Sequence, residues 1–225
     1  MGSFSILNNI AGLNAQGQLN INNVSLSRTL LRLSSGKRIN SGADDAAGLQ
    51  IADSLRANVR ALDQAVRNAN DGIGVLQIAD GALSEMSNLL TRAVTLSEEA
   101  STGTTDSTGR ASLNAEFTSI QAEIARIASQ TNFNGVKLFQ TGNNALGGSL
   151  SVFVGDTTNV SSIAVTVTAI TVAGGNTVTS LGGSNLTTVD LTTQGAAATS
   201  LTTLKTALGN VSNMRAQIGA GMNRL

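Results

Sequence analysis

Cysteine, histidine, proline, tryptophan and tyrosine are all absent from this sequence, and five phenylalanines are its only aromatic residues. Without cysteine or histidine there can be no disulfide, no thiolate nucleophile, no imidazole base or metal ligand and no Ser-His-Asp triad. The sequence therefore predicts no catalytic, cofactor-binding or metal-binding residue. The missing proline leaves long helices unbroken. The near absence of aromatic bulk leaves a core of Leu, Ile, Val and Ala, which suits helix seams better than a globular centre. Fourteen basic and fourteen acidic residues cancel. No block of Lys or Arg forms an electrostatic footprint, so neither nucleic acid nor a membrane surface is an expected partner. Nothing approaches the ~20 consecutive apolar residues of a membrane span. Met1 to Asn23 mixes Asn, Gln, Gly and Ser where a secretory signal would carry a basic start and an apolar run.

What the sequence does have is two long apolar stripes at opposite ends. From Ala52 through Leu62, Ile73 and Leu83 to Ala93, apolar residues step by threes and fours, and Leu201, Leu204, Leu208, Val211, Ile218, Met222 and Leu225 do the same. A stripe this narrow and this long is a coiled-coil seam, and it can be buried only against another long helix. The two ends are expected to pack together, with a third helix, Leu113 to Ile127, beside them. Between them, Val136 to Phe139, Leu150 to Val154 and Ile163 to Val172 are β-branched and partly alternating, which predicts hairpins up to about Thr193. The predicted class is mainly α with a small β region: an elongated rod-like helical bundle or coiled coil with a short β-hairpin insertion. Its expected parts are an N-terminal helix over 1–40 without order of its own, a discontinuous helical core over 41–139 and 196–225, and an insertion over 140–195.

Several local features have plain structural readings. Ser34, Ser35 and Gly36 end the first helix. Ser41 or one of its neighbours is expected to cap the next one, over Ala43 to Ala100, with Asp44 and Asp45 in its first turn against the positive end of the dipole. Gly72, Gly74 and Gly81 predict a bend or a register adjustment, with close helix approach as the alternative. Asn132 to Gly135 reads as a turn. Arg215 interrupts the last seam, where a charge usually snorkels and pairs with a carboxylate of the neighbouring helix to fix register.

Four runs are more specific. Leu33-Ser-Ser-Gly-Lys-Arg-Ile-Asn-Ser-Gly-Ala-Asp-Asp-Ala-Ala-Gly48, Arg67-Asn-Ala-Asn-Asp-Gly-Ile73, Gln130-Thr-Asn-Phe-Asn-Gly-Val-Lys137 and Arg215-Ala-Gln-Ile-Gly-Ala resemble, in order, the signature of the bacterial flagellins. The resemblance covers the N-terminus to Phe139 and again Leu201 to Leu225. It implies a secreted structural subunit of the flagellar filament, exported by the flagellar type III apparatus and located outside the cell. Other flagellin subunits would be its partners, with the terminal helices innermost and the variable region outside. The family normally continues past Asn223 to Leu225 with a helix that pairs with the N-terminal one. The resemblance therefore implies either a truncated chain, the favoured reading, or an atypical short paralogue, and in both Ser5 to Leu33 lack that partner.

The family is also recognised by Toll-like receptor 5. Matched residue by residue, the contacting arginine, leucine and glutamate fall on Arg92, Leu96 and Glu116, and the resemblance implies that these lie on one exposed face. Val94, Thr95, Ser97 and Glu98 depart from the strongly stimulatory pattern, so reduced recognition is expected. Two other readings compete with the filament subunit. One is a flagellar hook-filament junction protein, although such proteins commonly carry Pro after the paired Asp, where this chain has Ala46. The other is a surface adhesin or hydrolase seated in residues 140 to 195, a stretch with only Asp156 and Asp190 as acids.

Overall fold

The computed structural model describes residues 9–140, 145–146, 148–155, 161–173 and 177–225. Four helices occur among the described residues: α1 (Ile10–Ser35), α2 (Ala46–Ser101), α3 (Ser107–Gln130) and α4 (Gln194–Arg224). Three antiparallel pairs join β1 (Asn132–Phe133) to β2 (Val136–Lys137), β3 (Ser149–Phe153) to β4 (Ser162–Thr166), and β5 (Ile170–Ala173) to β6 (Thr177–Leu181). The mainly helical class with a small β region is as the sequence predicts. The chain divides into two units, Met1–Arg60 and Ala61–Leu225. That division falls inside α2.

In the first unit, Asn9 caps α1 by accepting from Gly12 N at 2.9 Å, and Gly36 closes the helix in the left-handed conformation (φ 65°). The structure has a continuous helix from Ile10, and none of its residues is buried. Leu13, Ile21, Leu26 and Leu30 are all more than half exposed. Residues Ser5 to Asn8, expected in the same helix, lie outside the described residues. The capping of α2 also differs from expectation. Its cap is Asp45, whose Oδ1 accepts from Gly48 N at 2.9 Å, while Asp44 sits in the connector and Ser41 donates to it. A carboxylate just before the helix reaches the free N–H groups better than one inside the first turn.

In the second unit a single buried cluster runs through Leu83, Leu90 and Leu96 of α2, Phe117 and Ile124 of α3, and Leu204, Val211 and Ile218 of α4. It also takes in Val165, Ile170, Val178, Leu181, Leu186 and Leu191. The segment expected to be an appended insertion therefore shares the helices' core. Its small helices-only alternative would leave those side chains in water, and burying each contributes on the order of 1.5–3 kcal/mol. Helices α2 and α4 run antiparallel. Ser97 Oγ donates to the Ala197 carbonyl at 2.8 Å, Arg215 reaches Asp80, and Leu225 lies beside Gly72.

The buried seam of α4 is rotated from the one read in the sequence. Ala197, Ser200, Leu204, Ala207, Val211, Met214, Ile218 and Gly221 are buried, a strict three-four repeat, while Leu201, Leu208 and Met222 flank it. Small residues occupy half the positions because the helix approaches its neighbours closely, and a stripe of large side chains does not reveal them. In α2 the inward stripe is buried only from Ala65 onward. Val66 is 62% and Leu62 49% exposed, so Leu62 is not the dry seam position expected of it.

Helix α2 shows no interruption at its glycines. A Cβ on Gly72 would stand 2.7 Å from Val152 of β3, and one on Gly74 or Gly81 would meet nothing within 4 Å. Close approach explains Gly72, and the expected bend is not needed. Gly221 makes the matching notch in α4, where a Cβ would stand 2.6 Å from Val165. The β3–β4 pair is thus docked by one valine from each strand into a glycine of each long helix. The predicted strand Ile163 to Val172 is two strands of different hairpins, although Val165 and Val167 share the buried face as alternation requires. Asn134 (φ 49°) and Gly135 (φ 78°) form the two-residue loop joining β1 to β2, the Asn-Gly chemistry that positive φ at both positions demands.

Candidate functional site

The three residues matched to a receptor surface do not behave alike. Arg92 projects from the middle of α2, and its Nε and Nη2 both lie 2.8 Å from Oε1 of Glu116 on α3. Their side chains keep 56% and 44% of their exposure. The hydrogen bond it donates to Glu116, the negative charge of Glu116 and that of Glu99 hold the Arg92 guanidinium above its ordinary pKa, so its positive charge is secure. Leu96 is different: it is fully buried. The expectation of an exposed Arg beside an exposed Leu is not met, although the two are i and i+4 neighbours. Position 96 flanks the Leu90–Ala93–Ser97 line, and α2 shares its core with two helices here, so its buried arc is wider than a single seam.

Around this pair the surface is polar and mixed in sign. Glu98 pairs with Lys205 of α4 at 3.3 Å, both side chains more than half exposed. The turn after α2 is closed by Thr102 and Thr105, whose hydroxyls both donate to the Glu99 carbonyl at 2.9 Å. Asp106 caps α3 through Gly109 N at 2.7 Å, which lets that helix begin at Ser107. An exposed ion pair of this kind can offer hydrogen bonds and charge to a partner.

Asp156 lies outside the described residues. Asp190 accepts from Thr192 N at 2.8 Å and from its hydroxyl at 3.0 Å, bonds that hold its carboxylate below the ordinary range. The adjacent Ser200 hydroxyl receives Asp190 N at 2.9 Å and donates to the Asp190 carbonyl at 3.0 Å. This is the tie that seats the entry to α4, and the buried Ser200 carried no signal in the sequence. Among the described residues no group of acids is placed to hold a metal ion, and no helix is long and apolar enough to cross a membrane.

A second surface is defined by exposure alone. The apolar side chains of α1 and, further along the first unit, Ile51 (61%), Leu55 (59%) and Val59 (57%) face solvent. Monomeric proteins rarely expose apolar surface in such density. The sequence signal for it was the weak, Asn-interleaved pattern of α1, which can bury little within its own chain.

Residues 6–144 match the family model of the bacterial flagellin N-terminal helical region. Polar flagellin F of Vibrio parahaemolyticus is 44% identical over 136 residues, 60% of this chain and 36% of that protein. The flagellin of Escherichia coli K12 is 44% identical over 151 residues, 67% of this chain and 29% of that one. The chain thus spans about a third of the length of the curated relatives it matches. Among solved structures, the crystal structure of Bacillus cereus flagellin superposes with a TM-score of 0.59 at 28% identity, covering 70% of this chain and 84% of that one. FliC from Burkholderia pseudomallei gives 0.54 at 20% identity over 68% of this chain and all of that one, a likeness of fold.

Proposed function

We propose, from the premise that this chain belongs to the bacterial flagellin family, that it is a structural subunit of the flagellar filament outside the cell. Flagellins are structural proteins, not enzymes. The observation that carries the reading is α1: 26 helical residues without one that is buried. An isolated helix of this composition gains too little from propensity alone, so its stability has to come from packing against other subunits. Export through the flagellar type III apparatus belongs to the same reading. Electron microscopy of the labelled chain mixed with sheared seeds of a full-length flagellin tests it. Label distributed along growing filaments supports a subunit. Label confined to one end favours the hook-filament junction protein, and no association overturns both.

Recognition by Toll-like receptor 5 is proposed through Arg92 and Glu116, with Leu96 supporting the surface from beneath. The Arg92–Glu116 pair has to exchange its mutual bonds for bonds to the receptor, which together with the altered neighbours Val94, Thr95, Ser97 and Glu98 lowers the affinity expected. Binding of the receptor ectodomain to the chain and to Arg92→Ala tests this. Equal affinity for the two would sink it, as would no binding by the parent.

A further inference from the structure

The two residues that join β1 to β2 are the only Asn-Gly pair in the sequence. Asn134 and Gly135 are both exposed, and a Cβ added to Gly135 would meet nothing within 4 Å. Positive φ at both positions, 49° and 78°, is the signature of a type I′ turn. Among the described residues no hydrogen bond engages the Asn134 side-chain amide or the Gly135 N–H. The base of the hairpin is held where its tip is not. Leu138 N donates to the Thr131 carbonyl at 3.2 Å, Asn132 Nδ2 donates to the Gln130 carbonyl at 2.8 Å, and Leu138 and Phe139 are buried. A side-chain amide and the N–H that follows it are thus left free beside each other on a fixed mount.

We propose that Asn134 is a site of spontaneous covalent modification, at which Gly135 N closes on the asparagine side chain within the folded hairpin and converts it to aspartyl and isoaspartyl forms. The bond from Gly135 N to Asn134 Cγ forms, the bond from Cγ to Nδ2 breaks, and Nδ2 leaves as ammonia with the proton of Gly135. Water then opens the five-membered ring. Opening at Cγ gives an ordinary aspartate, whereas opening at the backbone carbonyl carbon of residue 134 leaves the main chain running through Cγ. One water is consumed and one ammonia released, with no oxidant or cofactor. The attack needs ψ of Asn134 at about −120°, which is the value at the first central position of a type II′ turn. Turning the single peptide plane between 134 and 135 supplies it: φ of Asn134 stays positive, and Gly135 passes to negative φ, which glycine adopts as readily. Types I′ and II′ both close a two-residue hairpin, so the pairing of Phe133 with Val136 survives the turn. The Asp71-Gly72 pair has related chemistry but not this freedom, since it lies within α2 and Gly72 is buried against Val152. Conversion at 134 adds exposed negative charge to a chain of zero formal charge. The isoaspartyl form also lengthens a loop whose two-residue length sets the register of β1 and β2.

The test is to hold the full chain in mildly alkaline buffer, digest samples with trypsin, and follow the peptide from Ile127 to Lys137 by fragment-resolved mass spectrometry. The mass change of amide to acid is expected at Asn134 ahead of every other asparagine, with part of the product accepted by an isoaspartyl-specific carboxyl methyltransferase. Asp71 should remain unconverted. Because no unfolding step precedes the attack, the native chain should react within about tenfold of the rate of the same chain unfolded in guanidinium. Asn134→Gln, whose ring closure would need an extra atom, should lose the leading acidic species on isoelectric focusing. Another asparagine converting first, isomerisation at Asp71 as fast as conversion at 134, or the same acidic species in Asn134→Gln overturns the proposal. So does a native rate slower than that tenfold margin, since the hairpin would then be holding Gly135 N away from the side chain; this comparison uses the parent chain and does not depend on how the variant folds.

Discussion

Arg215 of α4 faces Asp80 of α2 across 135 residues of sequence, with Nε 2.8 Å from Oδ1 and Nη2 3.3 Å from Oδ2. The pair is side-on and two-pronged, and it lies beside the buried Val211–Met214–Ile218 line, with roughly a third of each side chain still exposed. Asp80 holds the Arg215 guanidinium above its ordinary pKa, first through the hydrogen bond and then through its charge. The pair therefore marks register between the antiparallel helices more than it adds stability. In a double-mutant cycle, Arg215→Gln with Asp80→Asn should show a coupling of about 0.5 kcal/mol, the scale of screened ion pairs. Raising salt to 1 M should erase it; a coupling near 3 kcal/mol would show the pair to be a buried one.

Leu204 is fully buried, and Leu204→Ala should cost about 3 kcal/mol in urea unfolding, the usual range for a leucine truncated in a packed core. Leu62, half exposed although it sits on the sequence stripe, should tolerate even Asp in the monomer with a change within about 0.5 kcal/mol. Equal losses at the two sites would show the seam to extend further than the buried residues do.

The glycines separate by what surrounds them. Gly74→Ala and Gly209→Ala, where a Cβ meets nothing within 4 Å, should stabilise the chain by about 0.5–1 kcal/mol through helix propensity. Gly221→Ala should destabilise it in spite of that gain, because the methyl group would press on Val165. Thermal melts of the three variants decide the matter, and a stabilised Gly221→Ala would mean the β3–β4 pair is loosely held.

The Asp190 carboxylate closes a turn just before α4 through its bonds to Thr192, and its pKa is lowered by the backbone bond first and the hydroxyl second. Its stabilisation is therefore complete above the unfolded carboxylate value and is lost as pH falls through the lower folded one. The stability of Asp190→Asn should depend less steeply on pH between about 2 and 4 than that of the parent, measured by urea midpoints across that range. Parallel curves would remove Asp190 from the account.

Helix α1 buries no residue, so in the monomer its amides should exchange within seconds, while those of Leu83 to Ala93 are protected by orders of magnitude more. Strong protection across Ile10 to Val24 in a verified monomer would contradict this.

Much of the fold was legible because it rests on local rules: periodicity placed the helices, Asn134-Gly135 announced its own hairpin loop, and an arginine in an apolar stripe announced a carboxylate opposite. The long specific runs, not the periodicity, pointed to the family. What the sequence could not determine depends on which neighbours a residue meets. Leu62 and Leu83 occupy equivalent steps of one stripe, yet only Leu83 lies in the buried cluster shared with α3 and α4. Leu96 reads as a surface residue until a second helix widens the buried arc of α2, and Ser97, Ser200 and Gly221 look like gaps in a seam until close packing makes small size the requirement. The two acids at 44 and 45 are indistinguishable by residue type. Only the path of the connector gives one to the α2 N-terminus and the other to Arg32, since propensity is written in residue type but the partner of each side chain is set by how the chain turns between segments.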